Sequence, residues 1–138
     1  MIAEQANDGM SNARLQVVIE QLGTIVEGRL GFWRFDFHGR ELLTVTDESH
    51  NRMRIMTPVI SADDLSMEDL QTILTANFGR ALDAKYALSQ GVLWSVFMHP
   101  LRELSEEQFV DAAEQVSNLA NNYGSSYTSS DIVFGDGE

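Results

Sequence analysis

Cysteine is absent from the 138-residue chain. This absence excludes disulfide scaffolds, thiol nucleophiles and zinc sites built on thiolate ligands. The first residues, Met1–Asp8, are polar and acidic, whereas a secretory signal needs positive charge followed by an apolar run. We therefore expect a protein of the reducing cytoplasm.

Basic residues are also scarce. The chain has 9 Lys and Arg against 21 Asp and Glu, which gives a formal net charge of -12. Such a charge repels polyanions, so we expect neither nucleic acid nor an anionic membrane as a partner. No apolar stretch approaches the roughly 18 residues that a membrane-spanning helix requires. These deficits favour a soluble protein.

Recognisable catalytic machinery is missing as well. The three histidines, His38, His50 and His99, all fall at predicted turns or strand ends. Asp36 and His38 share one side of an extended chain and could be two metal ligands if a third group joined them; alternatively, His38 serves a solvated turn. No zincin motif and no Gly-x-Ser-x-Gly elbow occurs. We predict no catalytic residue, no metal ligand and no cofactor.

The acidic pairs have two interpretations. Asp63-Asp64 and Glu68-Asp69 could bind a cation, but both stand at a predicted helix start, where capping and the helix dipole favour them. The Gly135-Asp136-Gly137 segment offers no phosphate site, because too few residues follow it in this sequence to form a helix. The pairs are therefore interpreted as helix caps.

The distribution of apolar residues predicts three helices and five strands. Three- and four-residue spacing indicates the helices, and alternation or β-branched runs between short turns indicate the strands. Pro58 is expected to end the third strand's pairing or to sit on an edge. In chain order the predicted elements are helix Ser11–Glu27, strands 30–37, 40–46 and 52–57, helix Ser66–Arg80 with Leu70, Ile73, Leu74, Asn77, Phe78 and Ala81 inward, strands 84–88 and 92–98, and a helix from Ser105 that stops at Gly124.

Short hairpins force neighbouring strands to be antiparallel. The predicted fold class is thus α+β, in the order α-β-β-β-α-β-β-α, with a five-stranded antiparallel sheet and helices packed on it. Residues 1–10 are predicted to form a flexible tail, 11–124 a single domain, and 125–138 a polar tail with the apolar plug Ile132-Val133-Phe134.

Element order, length and acidity together carry a family resemblance. Its local features are the helix-to-hairpin passage Leu70–Asp83, the strand Gly91-Val92-Leu93-Trp94 and the stretch His99-Pro100-Leu101 that leads into Phe109. In these features the chain resembles the type III secretion chaperone-like (Tir chaperone-like) superfamily, which includes YbjN-type bacterial sensory transduction regulators. The resemblance implies a homodimeric, acidic, cytosolic protein, and the chaperones of the superfamily hold an extended segment of a client against apolar surface.

An apolar surplus on the strands supports an interaction role. A sheet covered by helices on one face would leave aromatic residues on the other. Either the last helix or the tail plug covers them within the monomer, or they form a dimer seam or a partner groove. The arginines nearby would be a polar rim or an ordinary solvated face, and the methionines an adaptable surface or plain core. The residues predicted to form a partner-binding or dimer surface are Phe32, Arg34, Arg52, Arg54, Met56, Leu93, Trp94 and Phe97.

The leading hypothesis is a non-enzymatic, protein-binding module that acts as a homodimer and holds a segment of a client protein. The alternative is a YbjN-like sensory or regulatory domain that responds to a small ligand or a signalling assembly. An enzyme ranks third, and a buried pocket with His38 or His99 beside carboxylates of perturbed pKa would favour it.

Overall fold

A computed structural model describes residues 9–129 of the chain. It confirms the α+β class, with helices and an antiparallel sheet, but the sheet has six strands in the order β1-β2-β3-β4-β6-β5 where five were predicted. The elements are α1 Asn12–Leu22, β1 Thr24–Arg29, β2 Phe32–Phe37, β3 Arg40–Asp47, β4 Arg52–Ser61, a 3-10 turn Ala62–Asp64, α2 Met67–Gly79, β5 Lys85–Ser89, β6 Val92–His99 and α3 Glu106–Asn121.

The additional strand, β1, replaces the end of the predicted first helix. Helix α1 stops at Leu22, and the Gly23 N–H donates to the Ile19 carbonyl. Gly23 then passes so close to β2 that a Cβ there would overlap the carbonyl oxygen of Asp36. Ile25 consequently lies opposite Phe35 in the β1–β2 pair. Helical spacing misled the prediction because apolar residues in this segment fit both periods.

Strand β4 is longer than predicted. It continues through Pro58 to Ser61 and lies between β3 and β6 in the sheet order. The expectation that Pro58 would end the strand or mark an edge is therefore wrong. The proline ring only removes one donor, and its fixed φ is compatible with extended backbone.

Two predicted hairpin turns are confirmed with a specific geometry. His38 and Gly39 have φ of 53° and 86°, and Gln90 and Gly91 have φ of 53° and 80°. Two consecutive residues with positive φ are typical of the type I′ turn, whose twist matches that of the flanking strands. His38 therefore occupies a tight turn.

Of the predicted acidic residues, Asp69 takes part in a helix cap, and Asp63, Asp64 and Glu68 lie in the first turns of their helices. The Ser66 hydroxyl accepts from the Asp69 N–H while the Asp69 carboxylate accepts from the Ser66 N–H, which completes a capping box. Ser105 and Gln108 form the same reciprocal pair at the start of α3. Two of the four unpaired donors at each helix start are thereby satisfied.

By packing, the described residues divide into two compact units. One contains residues 9–55 and Met98–Ala113, and the other contains Met56–Phe97 and residues 114–129. The first has a core of fully buried side chains from α1, β2 and α3. The second is centred on β5, β6 and the end of α3. The largest buried side chains are Leu15, Ile19, Trp33, Phe35, Phe37, Leu42, Ile55, Leu101 and Phe109 in the first unit, and Tyr86, Leu93, Phe97, Val116 and Leu119 in the second.

Both described ends of the chain are packed. Met10 is buried and donates its N–H to the Arg102 carbonyl, and Thr128 and Ser129 are buried in the second unit. The predicted plug Ile132-Val133-Phe134 lies outside the described residues. The predicted domain boundaries stay a prediction.

Candidate protein-binding surfaces

Strand β2 separates core from surface by strict alternation. Trp33, Phe35 and Phe37 are buried, whereas Phe32 and Arg34, at the alternate positions, are half-buried. The Trp33 indole Nε1 donates to the Gln16 side-chain oxygen on α1. Because alternate residues of a strand point to opposite sides, Phe32 and Arg34 lie on the side away from this core.

A set of residues on this side forms what we call the arginine face. Phe32 lies opposite Val45, and Arg34 lies opposite Leu43, in the β2–β3 register. On β4, the exposed residues Arg52 and Arg54 alternate with the buried residues Met53 and Ile55. Arg52 and Arg54 therefore point away from the core, to the same side of the sheet as Phe32 and Arg34. The arginine face consists of Arg29, Phe32, Arg34, Leu43, Val45, Arg52 and Arg54.

The four arginines of this face differ in their partners. Arg34 forms ion pairs with Glu27 at 3.5 Å and with Glu41 at 3.2 Å. The Arg29 guanidinium stacks over the Phe32 ring, 4.9 Å from its centroid. Arg52 and Arg54 are exposed, and no carboxylate among residues 9–129 lies within ion-pair distance of either. Within the described residues, the face thus presents two guanidinium groups without a carboxylate partner beside apolar side chains.

The remaining predicted surface residues belong to the second unit and divide into two groups. Met56 and Trp94 are half-buried, and the Trp94 indole donates to the Ser89 carbonyl at 3.2 Å. Leu93 and Phe97, in contrast, are buried and belong to the core. The sequence indicated that both sides of β6 are apolar, but it did not indicate which side the helices cover.

Helix α2 carries an exposed apolar stripe that the sequence analysis assigned to the interior. Leu74 is 67% exposed and Phe78 is 95% exposed, so their predicted inward orientation is wrong. Met67 is 71% exposed on the same side, and its spacing to Leu74 and Phe78 is seven and eleven residues. With Gln71 between them, these residues follow the 4-3-4 spacing of a coiled-coil seam. We call Met67, Gln71, Leu74 and Phe78 the α2 seam.

The orientation of α2 is fixed by polar contacts with β5. The Asn77 side-chain oxygen accepts from the Tyr86 N–H at 2.8 Å, and its nitrogen donates to the Tyr86 carbonyl at 2.9 Å. The Lys85 ammonium donates to the Asn77 carbonyl at 2.7 Å. Ile73 and Ala76 face inward, and Phe78 is left outside. Of the residues predicted to point inward, Ile73 and Ala81 are thus buried and Asn77 is half-buried, whereas Leu74 and Phe78 are exposed.

The loop between α2 and β5 is held by α3. The Gln115 side-chain oxygen accepts from the N–H groups of Asp83 and Ala84 at 2.8 and 3.1 Å, and its nitrogen donates to the Asp83 carboxylate at 3.1 Å. Further along, the Ser129 hydroxyl accepts from the Leu82 N–H at 2.9 Å. These hydrogen bonds hold the loop that follows α2 in place.

Three tyrosines pack edge to face in the second unit. Tyr86, Tyr123 and Tyr127 have ring centroids 5.6 to 6.3 Å apart. The Tyr86 hydroxyl donates to the Leu119 carbonyl at 2.8 Å. Burial of the Tyr86 ring raises the pKa of its phenol far above the ordinary value of 10.0. The side chain is therefore a neutral core residue over the physiological range.

A serine, a histidine and an aspartate meet in the turn after β3, but not as a catalytic relay. His50 Nδ1 lies 2.8 Å from the Asp47 carboxylate and 3.2 Å from the Ser49 hydroxyl. A general-base histidine would use its two nitrogens separately, one for the carboxylate and one for the hydroxyl. The hydroxyl itself donates to Asp47 at 2.8 Å, and this bond, with that from His50, lowers the pKa of the Asp47 carboxyl. The group is a hydrogen-bonded turn.

Among residues 9–129, no three His, Asp or Glu side chains converge in a way that could hold a metal ion. Within the same residues, no helix combines the length and the apolar character needed to cross a bilayer. A polar cleft of about 460 Å³ lies along α2 and the segment after α3, and its lining includes Gln71, Thr75 and Tyr127.

No family model and no curated protein matches the chain by sequence. Solved structures do match it by fold. The complex of HopA1 with SchA, a chaperone-effector complex, superposes with a TM-score of 0.61 at 11% identity, covering 81% of this chain and 94% of the other. The Yersinia pestis type III secretion chaperone SycH, in complex with a fragment of YscM2, gives 0.60 at 15%, covering 82% and 98%.

A third structure extends the same pattern. The ExsC-ExsE complex matches with a TM-score of 0.52 at 13% identity, covering 86% of this chain and 90% of the other. None of the three is a YbjN-type protein by its description, so that part of the predicted resemblance stays a prediction. At these identities the matches establish architecture, and the chain has the type III secretion chaperone fold.

Proposed function

We propose that the protein is a non-enzymatic, cytoplasmic chaperone-like module that forms a homodimer and holds a segment of a client protein. The observation that carries the proposal is the α2 seam, where Phe78 is 95% exposed in a chain of net charge -12. A large aromatic side chain left in water on a regular helix indicates a binding surface. The chaperone complexes with the same fold support the protein-binding part of the proposal.

The geometry of the seam favours a second copy of this chain as one partner. The apolar residues Met67, Leu74 and Phe78, at spacings of seven and four residues on one side of the helix, can pack against the same residues on an identical helix. Glu68 and Asp69 stand in the first turn of α2, and Arg80 is its C-cap. In an antiparallel arrangement related by a twofold axis, the acidic start of each helix would face the basic end of the other, so the charges favour antiparallel over parallel pairing.

A client would then use a different surface. The arginine face combines Phe32, Leu43 and Val45 with charged groups, and it belongs to the unit that does not contain α2. Apolar anchors with a polar rim are typical of transient protein-binding surfaces. The proposal therefore assigns self-association to the α2 seam and client binding to the arginine face.

Sedimentation equilibrium at micromolar concentration tests the dimer. We expect the wild-type chain to sediment as a dimer and Phe78→Glu to weaken the dimer at least about tenfold, because the substitution buries a charge in an apolar seam. Val17→Glu is the matched control, since Val17 is 49% exposed on α1. It should leave the dimer unchanged.

Two results would contradict the proposal. A monomeric wild-type chain would remove the dimer, and equal effects of Phe78→Glu and Val17→Glu would show that general charge rather than the seam controls association. Circular dichroism melts of both variants establish that each remains folded, because both positions are exposed.

A further inference from the structure

The charges of the arginine face indicate which kind of ligand it would bind. The chain has 21 acidic side chains, and two of them, Glu27 and Glu41, already pair with Arg34 on this face. Arg52 and Arg54 nonetheless have no carboxylate within ion-pair distance among residues 9–129. As far as the structure describes the chain, the guanidinium groups of Arg52 and Arg54 are therefore available to a ligand that carries carboxylates.

The spacing of the two arginines matches an extended polypeptide. They are alternate residues of β4 on one side, so their Cα atoms are about 6.6 Å apart for a rise of about 3.3 Å per residue. Alternate side chains of an extended partner strand repeat at the same interval. The planar guanidinium also binds a carboxylate through two parallel hydrogen bonds, which a lysine cannot do.

The surroundings favour carboxylates within an apolar segment over a dense polyanion. Leu43, Val45 and the Phe32 ring lie on the same face, and Met98 of β6 is 53% exposed next to β4. A nucleic acid would offer phosphates without apolar side chains and would meet the repulsion of a -12 chain along its length. A short peptide segment contacts only the arginine face, so the positive charge there acts on it more strongly than the distant negative charge of the chain.

We propose that the arginine face binds an extended, acidic segment of a client protein, in which Asp or Glu residues at alternate positions pair with Arg52 and Arg54 while neighbouring apolar residues contact Phe32, Leu43 and Val45. This inference rests on the proposed client-binding function, and it adds the chemistry of the client.

The test uses a library of randomised 12-residue peptides displayed on messenger RNA and selected in parallel against the wild-type chain and the double variant Arg52→Glu/Arg54→Glu. We expect the wild-type selection to enrich Asp and Glu at alternate positions beside apolar residues, and the double variant to enrich Lys and Arg there. Fluorescence anisotropy with one enriched acidic peptide should show affinity at least about tenfold lower for the double variant.

Arg102→Glu is the control, because Arg102 is an exposed arginine of the same unit outside the face. It should retain the affinity of the wild-type chain. Equal enrichment in both selections, no preference for acidic residues, or no enriched peptide would overturn the inference.

Sedimentation of the same variants separates this inference from the proposed dimer. We expect Arg52→Glu/Arg54→Glu to dimerise as the wild-type chain does. If the double variant became monomeric, the face would be covered by a second copy and the client inference would fail. If only Phe78→Glu became monomeric while peptide selection failed, the dimer would stand and the client chemistry would not.

Discussion

The Asn77 side chain pairs with both backbone groups of Tyr86, accepting from its N–H and donating to its carbonyl. The side-chain amide of Asn77 thereby makes the two hydrogen bonds with Tyr86 that the backbone of a neighbouring strand would otherwise make. The same contact turns α2 so that Ile73 and Ala76 face the core and Phe78 faces outward. The exposure of the α2 seam thus follows from the hydrogen bonds by which Asn77 pairs with the edge of β5.

Replacing Asn77 by alanine should destabilise the fold by about 1–3 kcal/mol, because both backbone groups of the buried Tyr86 lose their partner. Urea unfolding followed by circular dichroism measures the change. Thr72→Ser, at an exposed position of the same helix outside the α2 seam, should change stability by less than about 0.5 kcal/mol. Equal effects of the two substitutions would contradict the role assigned to Asn77.

Gly23→Ala should destabilise the protein by about 2–4 kcal/mol, since the added Cβ would overlap the Asp36 carbonyl oxygen where the chain enters β1. Gly79→Ala makes the same chemical change at the end of α2, where a Cβ meets no atom within 4 Å. There the alanine should stabilise by about 0.5–1 kcal/mol. Thermal melts of both variants compare the two glycines, and a tolerated alanine at Gly23 would mean that β1 does not approach β2 so closely.

These positions show what the sequence could and could not predict. The strands with strict alternation, such as β2, and the capping boxes at Ser66 and Ser105 depend on neighbouring residues, so local patterns predict them. The β1 strand was missed because Ile25 and Val26 fit helical and extended spacing equally well. Only the close approach of Gly23 to another strand decides between the two, and that contact is not local.

The candidate surfaces were predictable to different degrees. Arg52 and Arg54 alternate with buried residues in the sequence itself, so their side of β4 followed from parity. Leu93 and Phe97 could not be assigned, because both sides of β6 are apolar and the helices decide which is covered. The α2 seam was missed for a related reason: α2 has apolar residues over more than one side, and the amide of Asn77 selects between them.

Substituting Gln115 by alanine should cost about 2–3 kcal/mol, because the N–H groups of Asp83 and Ala84 would both lose their acceptor. Guanidinium unfolding provides the measurement. Glu114→Ala, on the exposed neighbouring position of α3, should have a small effect. Amide hydrogen exchange offers a second readout, since exchange at Ala84 should accelerate in the Gln115 variant alone.

Stability should fall at alkaline pH through Tyr86. Its pKa is raised on folding, so above the ordinary value of 10.0 the unfolded chain releases the phenolic proton while the folded chain retains it. The contribution is complete below that pH and is lost as pH rises toward the folded pKa. Urea unfolding at about pH 8 and about pH 11 should show a smaller loss for Tyr86→Phe than for the wild-type chain. Equal losses would indicate that Tyr86 ionises normally.

The Asn77 side chain, which pairs with the outer edge of β5, also limits the addition of further strands to this sheet. Strand β5 has five residues, and Tyr86 is one of the few that direct their backbone groups outward. A continuous fibre of identical chains stacked edge to edge needs two open strand edges on every copy. Here the β5 edge is partly blocked, because the Asn77 side chain already pairs with the backbone groups of Tyr86. Among the described residues, an added strand would therefore find the backbone groups of Tyr86 already paired at β5, which opposes the growth of a continuous fibre by edge-to-edge stacking.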